Sequence, residues 1–163
     1  MVVVSDTSPL IALRKIDLLT VLPALFKTVI VPSAVANELA RGTDKDGGID
    51  FLAENPWITI RDPHVDPGEG SLGAGETAGI ALAMEVRPFF LLIDDRAGRK
   101  AAEEIRIRSI GTVGVLELAA INGLVDLATA FELLKQTDFR VSKPFLEGRL
   151  KLFHTRQSVG SAS

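Results

Sequence analysis

The chain has 163 residues, of which 47% are hydrophobic and 24% are charged, an ordinary composition for a soluble globular protein. The absence of cysteine excludes disulfides and thiolate metal sites, and two histidines leave little for a zinc site. No apolar stretch is long enough to span a bilayer, and the first residues lack the basic region of a signal peptide. We therefore expect a cytoplasmic protein.

The net charge of −3 is unevenly distributed along the chain. Residues 1–95 contain 7 Lys and Arg against 14 Asp and Glu, whereas residues 96–163 contain 11 against 7. This asymmetry indicates either a metal-binding pocket beside an anion-binding surface or chance clustering of solvated charges.

Short β-branched or apolar runs alternate with helical patterns along the chain. The predicted strands are Val2–Val4, Lys27–Val31, Trp57–Ile60, Phe89–Ile93 and Ser109–Ile110. Nine helices are predicted, the first of them a short helix that begins over residues 10–13. The others cover residues 18–26, 33–42, 51–52, 75–86, 96–107, 113–123, 126–136 and 145–153. Polar loops are expected at 43–50 and 61–75.

The alternation of strands and helices predicts an α/β fold. Its sheet would be parallel, with helices on both faces and right-handed crossover connections. The length suits a single domain, which we place at residues 1–153. Residues 154–163 are polar and small, and we expect a disordered tail there.

Acidic residues directly follow two of the predicted strands. Asp6 follows the first strand, and Asp94 and Asp95 follow the fourth. The carboxyl ends of parallel strands lie at one edge of the sheet, where ligands bind, and neighbouring strands are about 4.8 Å apart. Glu38 and Glu76 lie on predicted helices that can reach the same edge.

Such a set of carboxylates indicates a bound cation. Clustered carboxylates repel one another, so the cluster is stable mainly when a cation occupies it. Oxygen-only ligands favour Mg²⁺ or Mn²⁺, which can activate a bound water for attack on a phosphodiester. The pattern therefore predicts metal-dependent phosphoryl hydrolysis.

Each acid taken alone has a simpler structural explanation. Asp6 and one member of the Asp94–Asp95 pair can be helix N-caps. Glu38 can lie on a solvated helix face, and Glu76 can complement a helix dipole. The prediction of a metal site therefore depends on the whole set.

Four motifs follow one another between residue 2 and about residue 120: VVSDTSPLIAL, VPSAVANELARG, LGAGETAGIALA, and LLIDDRAGRKAA with GTVGVL. Together they resemble the PIN-domain family, in its branch of small prokaryotic proteins related to VapC toxins. The resemblance implies a three-layer α/β/α sandwich with a five-stranded parallel sheet. It also implies an acidic pocket for Mg²⁺ or Mn²⁺ and endoribonuclease activity.

The resemblance also assigns roles to particular residues. The catalytic and metal-binding acids fall on Asp6, Glu38, Glu76 and Asp95, with Asp94 beside the last as a further metal ligand. Which of the two aspartates faces the pocket stays open, although the position after the apolar run favours Asp95. Glu76 stands where many family members have aspartate. The residues expected to contact substrate are Thr7, Ser8, Arg96, Arg99 and Lys100, and the three basic ones can instead form a solvated face.

The partners implied by the resemblance are an RNA substrate, a second copy of the chain in a homodimer and, as a hypothesis, an antitoxin protein. In that hypothesis the chain is the toxin of a toxin–antitoxin pair. One alternative is a PIN-like module that binds RNA or protein without cutting, which the overall acidity favours because strong nucleic-acid binders are usually basic. A second alternative is a metal-dependent hydrolase of small phosphoesters.

Overall fold

A computed structural model describes residues 1–45, 50–66 and 71–161. Residues 46–49 and 67–70, which belong to the two predicted polar loops, lie outside the described residues, as do residues 162–163 of the predicted tail. The chain divides into two compact units, Met1–Thr112 and Val113–Ser163.

Five parallel strands in the described residues form one sheet, which lies in the first unit. In chain order they are β1 Val2–Ser5, β2 Thr28–Val31, β3 Ile58–Ile60, β4 Phe90–Leu92 and β5 Ser109–Ile110. Their spatial order is β3-β2-β1-β4-β5, and every pairing is parallel. The five-stranded parallel sheet flanked by helices confirms the predicted α/β fold.

Nine helices are present in the described ranges. The first six are α1 Thr7–Lys15, α2 Val21–Leu25, α3 Ser33–Lys45, α4 Phe51–Glu54, α5 Ala74–Val86 and α6 Arg96–Glu104. The remaining three are α7 Thr112–Ile121, α8 Leu127–Lys135 and α9 Lys143–Ser161. None of the helices described here is long and apolar enough to cross a membrane.

The register of β1 against β4 aligns the carboxyl ends of these two strands. Val4 lies opposite Leu91, Ser5 lies opposite Leu92, and the N–H of Asp6 donates to the carbonyl oxygen of Leu92 at 2.8 Å. The residues that follow β1 and β4 therefore emerge side by side, as expected if two strand-end acids share one site.

A core of buried apolar side chains holds α5 and α6 near these strands. Its fully buried members include Val4 on β1, Leu91 on β4, Leu82 on α5 and Ala102 on α6. Burial of each valine or leucine side chain contributes about 1.5–3 kcal/mol. The lack of alternation in β1 has the same origin, because Val3 and Val4 are both fully buried.

The second unit contains α8 and α9 and most of α7. Asp126 caps α8 by accepting from the Thr129 N–H at 3.0 Å, as predicted. The helix α9 continues through residues 154–161, where we predicted disorder. The side chains from His154 to Ser161 are exposed, and hydroxyls such as that of Ser158 donate back to the carbonyl four residues earlier. A helix is predicted from sequence mainly by the periodic spacing of its apolar residues, and an exposed polar helix has no such spacing.

Candidate functional site

The candidate site is built around Asp6, which directly follows β1 and precedes α1. Its side chain makes no capping hydrogen bond although the residue occupies the N-cap position of α1. The residue is only 4% exposed. A simple role as helix cap therefore does not explain this buried carboxylate.

The electrostatic environment of Asp6 connects it to three other acids. Its pKa is raised from the ordinary 3.8 to about 7, and burial is the largest cause. A hydrogen bond from the Thr7 backbone opposes the shift, whereas the negative charges of Glu76, Glu38 and Asp94 add to it. The charges of three other predicted acids thus act on Asp6 in the folded chain.

Glu38, on α3, is tied to both α1 and α5. The hydroxyl of Thr7 donates to its Oε2 atom, and the N–H of Gly75 donates to its Oε1 atom at 3.2 Å. A Cβ on Gly75 would lie 2.9 Å from both carboxylate oxygens, so only glycine leaves room for this approach. Glu38 is therefore a positioned carboxylate and not part of a solvated helix face.

Glu76 lies in the first turn of α5, as predicted. Its Oε2 atom accepts from the N–H of Gly73 at 3.0 Å, so its carboxylate satisfies a backbone donor at the helix N-terminus. Its charge also raises the pKa of Asp6. Glu76 therefore has both roles: it binds a backbone N–H group at the start of α5, and its charge acts on Asp6.

The two adjacent aspartates after β4 take different roles. Asp94 accepts from the N–H and the hydroxyl of Thr112, at 2.7 Å each, and from the hydroxyl of Ser8 at 3.2 Å. Asp95 is instead the N-cap of α6 and accepts from the N–H of Gly98 at 2.9 Å. We use the name acidic cluster for Asp6 and the three acids whose charges act on it, Glu38, Glu76 and Asp94. The contacts of Asp94 favour it over Asp95 as the pocket-facing residue, and the assignment of either aspartate to a metal stays a prediction. The two side chains therefore have separate partners, and only Asp94 is among the charges that raise the pKa of Asp6.

Three residues that the sequence analysis did not single out shape the site: Gly75, Gly111 and Thr112. Gly111 resembles Gly75, because a Cβ there would lie 2.8 Å from the Oδ1 atom of Asp94. The available signal was their position in the motifs LGAGETAG and GTVGVL. Thr7 and Ser8, whose contact with substrate stays a prediction, donate their hydroxyls to Glu38 and Asp94 respectively.

The predicted basic residues Arg96, Arg99 and Lys100 lie on α6 and line a groove of about 670 Å³. All three are exposed. Arg99 lies close to Asp94, because its Nη1 atom is 3.7 Å, and the Asp94 Oδ1 atom 2.8 Å, from the position that a Cβ on Gly111 would take.

The model of the family DUF3368, described as a PIN domain, matches residues 2–155. The chain belongs to the PIN-domain family. No curated protein matches it. Among solved structures, it is similar to a PilT N-terminus domain protein, SSO1118, from the hyperthermophilic archaeon Sulfolobus solfataricus P2. The two are 16% identical with a TM-score of 0.47, over 87% of this chain and 100% of that chain.

PIN domains are generally nucleases, and they generally use divalent metals. In the described part of this PIN domain, no group of three or more His, Cys, Asp or Glu is disposed to hold a metal ion as it stands. The carboxylates of Glu38, Glu76 and Asp94 accept hydrogen bonds from protein N–H or O–H groups. A cation would therefore have to draw these carboxylates together. The chemistry of the donor set fits a hard divalent cation, because the site offers carboxylate oxygens and neither thiol nor imidazole.

Proposed function

We propose that this PIN domain is an endoribonuclease that depends on Mg²⁺ or Mn²⁺, with Asp6, Glu38, Glu76 and Asp94 as its metal-binding acids. The observation that carries the proposal is the buried carboxylate of Asp6, whose pKa is raised to about 7 by burial and by three nearby carboxylates. Such a concentration of negative charge opposes the ionised state of Asp6 unless a cation compensates it. A divalent cation is the simplest compensation.

The residues of the chain supply the positioning. Thr7 and Gly75 hold Glu38, and Thr112 holds Asp94 with two hydrogen bonds. The side chain of Asp6 is buried and has little contact with water. When bound, the cation would polarise the phosphodiester and lower the pKa of a bound water. The hydrogen bonds on Glu38 and Asp94 fix where these two carboxylates start from, and a bound cation would draw them closer to Asp6.

The choice of RNA as substrate, like the roles as toxin and as homodimer, comes from the resemblance to VapC-like proteins. The basic groove beside the acids supports a polyanionic substrate, because phosphates are bound mainly by lysine and arginine. A small phosphoester has one phosphate group and would contact only a small part of an extended basic surface. We therefore propose an RNA polymer as substrate, and an antitoxin as a partner to be sought by co-purification.

The test is cleavage of a mixed single-stranded RNA pool by the purified protein in Mn²⁺, in Mg²⁺ and in EDTA. Asp6→Asn should abolish metal-dependent cleavage. The matched control is Asp126→Asn, which makes the same chemical change outside the cluster and keeps a residue able to cap α8. Unchanged turnover in Asp6→Asn would overturn the site assignment.

Metal titration by calorimetry separates the alternatives. A wild-type chain that neither cuts RNA nor binds Mn²⁺ would be a binding module. Metal-dependent hydrolysis of a generic aryl phosphodiester without cleavage of the RNA pool would identify a hydrolase of small phosphoesters. Cleavage of RNA with metal binding that is lost in Asp6→Asn supports the proposed nuclease.

A further inference from the structure

A basic groove extends away from the acidic cluster along α6. Its volume is about 670 Å³, and its charged lining residues are Arg96, Arg99, Lys100, Glu103, Arg106 and Arg108. We use the name basic groove for this surface. Two of its cations, Arg106 and Arg108, were not among the residues expected to contact substrate.

The lining of the basic groove carries five cations against one carboxylate, that of Glu103. Five of the chain's 18 Lys and Arg lie within residues 96–108, although the whole chain carries a net charge of −3. The five are exposed, and none forms an ion pair with a carboxylate of residues 1–42, 50–66 or 71–161. Because like charges held close together repel, the arrangement favours binding of a polyanion.

One end of the basic groove meets the acidic cluster. The Oδ1 atom of Asp94 and the Nη1 atom of Arg99 lie 2.8 and 3.7 Å from the same point, the position of a Cβ on Gly111. An anion held by Arg99 therefore lies beside the proposed metal ligands. A side chain at residue 111 would crowd the Asp94 carboxylate, whereas Arg99 lies at an ordinary contact distance from this point.

The other end of the basic groove lies beyond the C-terminus of α6. This helix has nine residues and spans about 13 Å. Arg106 and Arg108 follow it and precede β5. Because α6 connects two parallel strands, it runs back across the sheet, and the groove leads from the acid-bearing edge toward the opposite edge.

The distal cations are held in defined positions. Arg108 stacks over the ring of Phe89, with its guanidinium carbon 4.3 Å from the ring centroid. Arg106 has a φ of 59°, and its N–H donates to the carbonyl of Glu103 at 2.9 Å. Glycine is the usual residue at such a left-handed helix end, so an arginine there carries backbone strain.

We infer that the basic groove binds the phosphate backbone of single-stranded RNA and leads it to the acidic cluster. The inference rests on the proposed nuclease function for the identity of the polyanion. Four of the five cations are arginines, whose planar guanidinium groups suit phosphate oxygens. Continuity with the acids distinguishes RNA from an acidic protein segment, because a backbone in the groove places its next phosphodiester at Asp94.

The test measures binding and not cleavage, by fluorescence anisotropy of a short labelled single-stranded RNA in EDTA. Arg106→Gly removes one groove cation, and the matched control Arg87→Gly removes an arginine from a left-handed position outside the groove, with a φ of 50°. Arg106→Gly should weaken binding several-fold and reduce the slope of log affinity against log salt by about 0.7. Arg87→Gly should leave both values unchanged.

Thermal unfolding separates loss of contact from loss of fold. Neither glycine variant should lower Tm, because relief of the left-handed strain offsets the greater freedom of glycine in the unfolded chain. Equal affinity of the wild type and Arg106→Gly would overturn the inference, as would equal losses in the two glycine variants or no RNA binding by the wild type.

Polyglutamate serves as the competing polyanion. Binding of polyglutamate as tightly as RNA, with the same dependence on Arg106, would assign the basic groove to an acidic protein and overturn the inference. A chain that binds RNA through Arg106 but never cuts it would overturn the proposed nuclease and leave the groove assignment intact.

Discussion

Thr112 donates two hydrogen bonds to Asp94, from its N–H to Oδ1 and from its hydroxyl to Oδ2, each 2.7 Å long. Thr112 is fully buried, so water does not reach its hydroxyl to replace it. Hydrogen bonds to a charged group contribute about 1.5–3 kcal/mol each. The carboxylate of Asp94 is therefore oriented by the residue that begins α7.

Replacement of Thr112 by valine should impair the site. Valine keeps the shape and the backbone donor but removes the hydroxyl, which leaves Oδ2 of Asp94 with the longer bond from Ser8. We expect a loss of about 10–100-fold in RNA cleavage, as for other residues that orient metal ligands. The measurement is kcat/KM with Mn²⁺. Thr112→Ser retains the hydroxyl and should stay within a few-fold of wild type, and equal activities of the two variants would contradict the role of the hydroxyl.

Asp94 and Asp95 should respond differently to the same substitution. Asp94→Asn should weaken Mn²⁺ binding at least tenfold, because it removes a charge that acts on Asp6. Asp95→Asn preserves the cap of α6 and should leave metal binding within a few-fold of wild type, whereas Asp95→Ala should cost about 1 kcal/mol of stability. Calorimetry and urea denaturation measure these effects. Loss of metal binding in Asp95→Asn alone would support Asp95, the residue that the sequence favours.

The sequence predicts the sheet well because its strands have strong signals. Runs such as Val2–Val4 and Phe89–Ile93 are apolar without alternation, and such runs are typical of strands covered on both faces. The same reasoning brings Asp6 and the Asp94–Asp95 pair to one edge. It cannot choose between adjacent aspartates, because that choice depends on the direction of each side chain as β4 gives way to α6.

Close approaches in three dimensions are also hidden from a single sequence. Gly75 and Gly111 resemble any glycine at a helix start or turn, and their contacts with Glu38 and Asp94 depend on how distant segments pack. The continuation of α9 through residues 154–161 is hidden for a different reason, since its exposed polar residues show no apolar period.

Gly75→Ala should disturb Glu38 more than it disturbs the fold. A Cβ at this position would lie 2.9 Å from both carboxylate oxygens, so the Glu38 side chain must shift. Alanine also favours the helix by about 1 kcal/mol, which limits any loss of stability. We expect weaker Mn²⁺ binding and at least tenfold slower cleavage, with a nearly unchanged urea midpoint.

Gly79→Ala is the matched control for this substitution. Gly79 is also buried on α5, but its added Cβ would meet only the Cδ1 atom of Leu91, at an ordinary 3.9 Å. Gly79→Ala should therefore gain helix propensity without loss of metal binding or activity. If both alanine variants bind metal and cut RNA equally well, the contact between Gly75 and Glu38 does not position the carboxylate.

The raised pKa of Asp6 predicts how the stability of the metal-free protein depends on pH. The folded-state pKa of about 7 exceeds the ordinary 3.8, so between these values the folded chain binds a proton more readily than the unfolded chain. The free energy of unfolding should therefore fall as pH rises from about 4 to about 7 and then level off. A shift of this size corresponds to a few kcal/mol.

Urea denaturation in EDTA at about pH 5 and about pH 8 measures this dependence. The wild type should be less stable at the higher pH, and Asp6→Asn should remove most of the difference, because asparagine is uncharged at both values. Divalent metal should stabilise the wild type most at the higher pH, where Asp6 is ionised and available as a ligand. The same pH dependence in Asp6→Asn would show that another group is responsible and that burial of the Asp6 charge does not destabilise the metal-free fold.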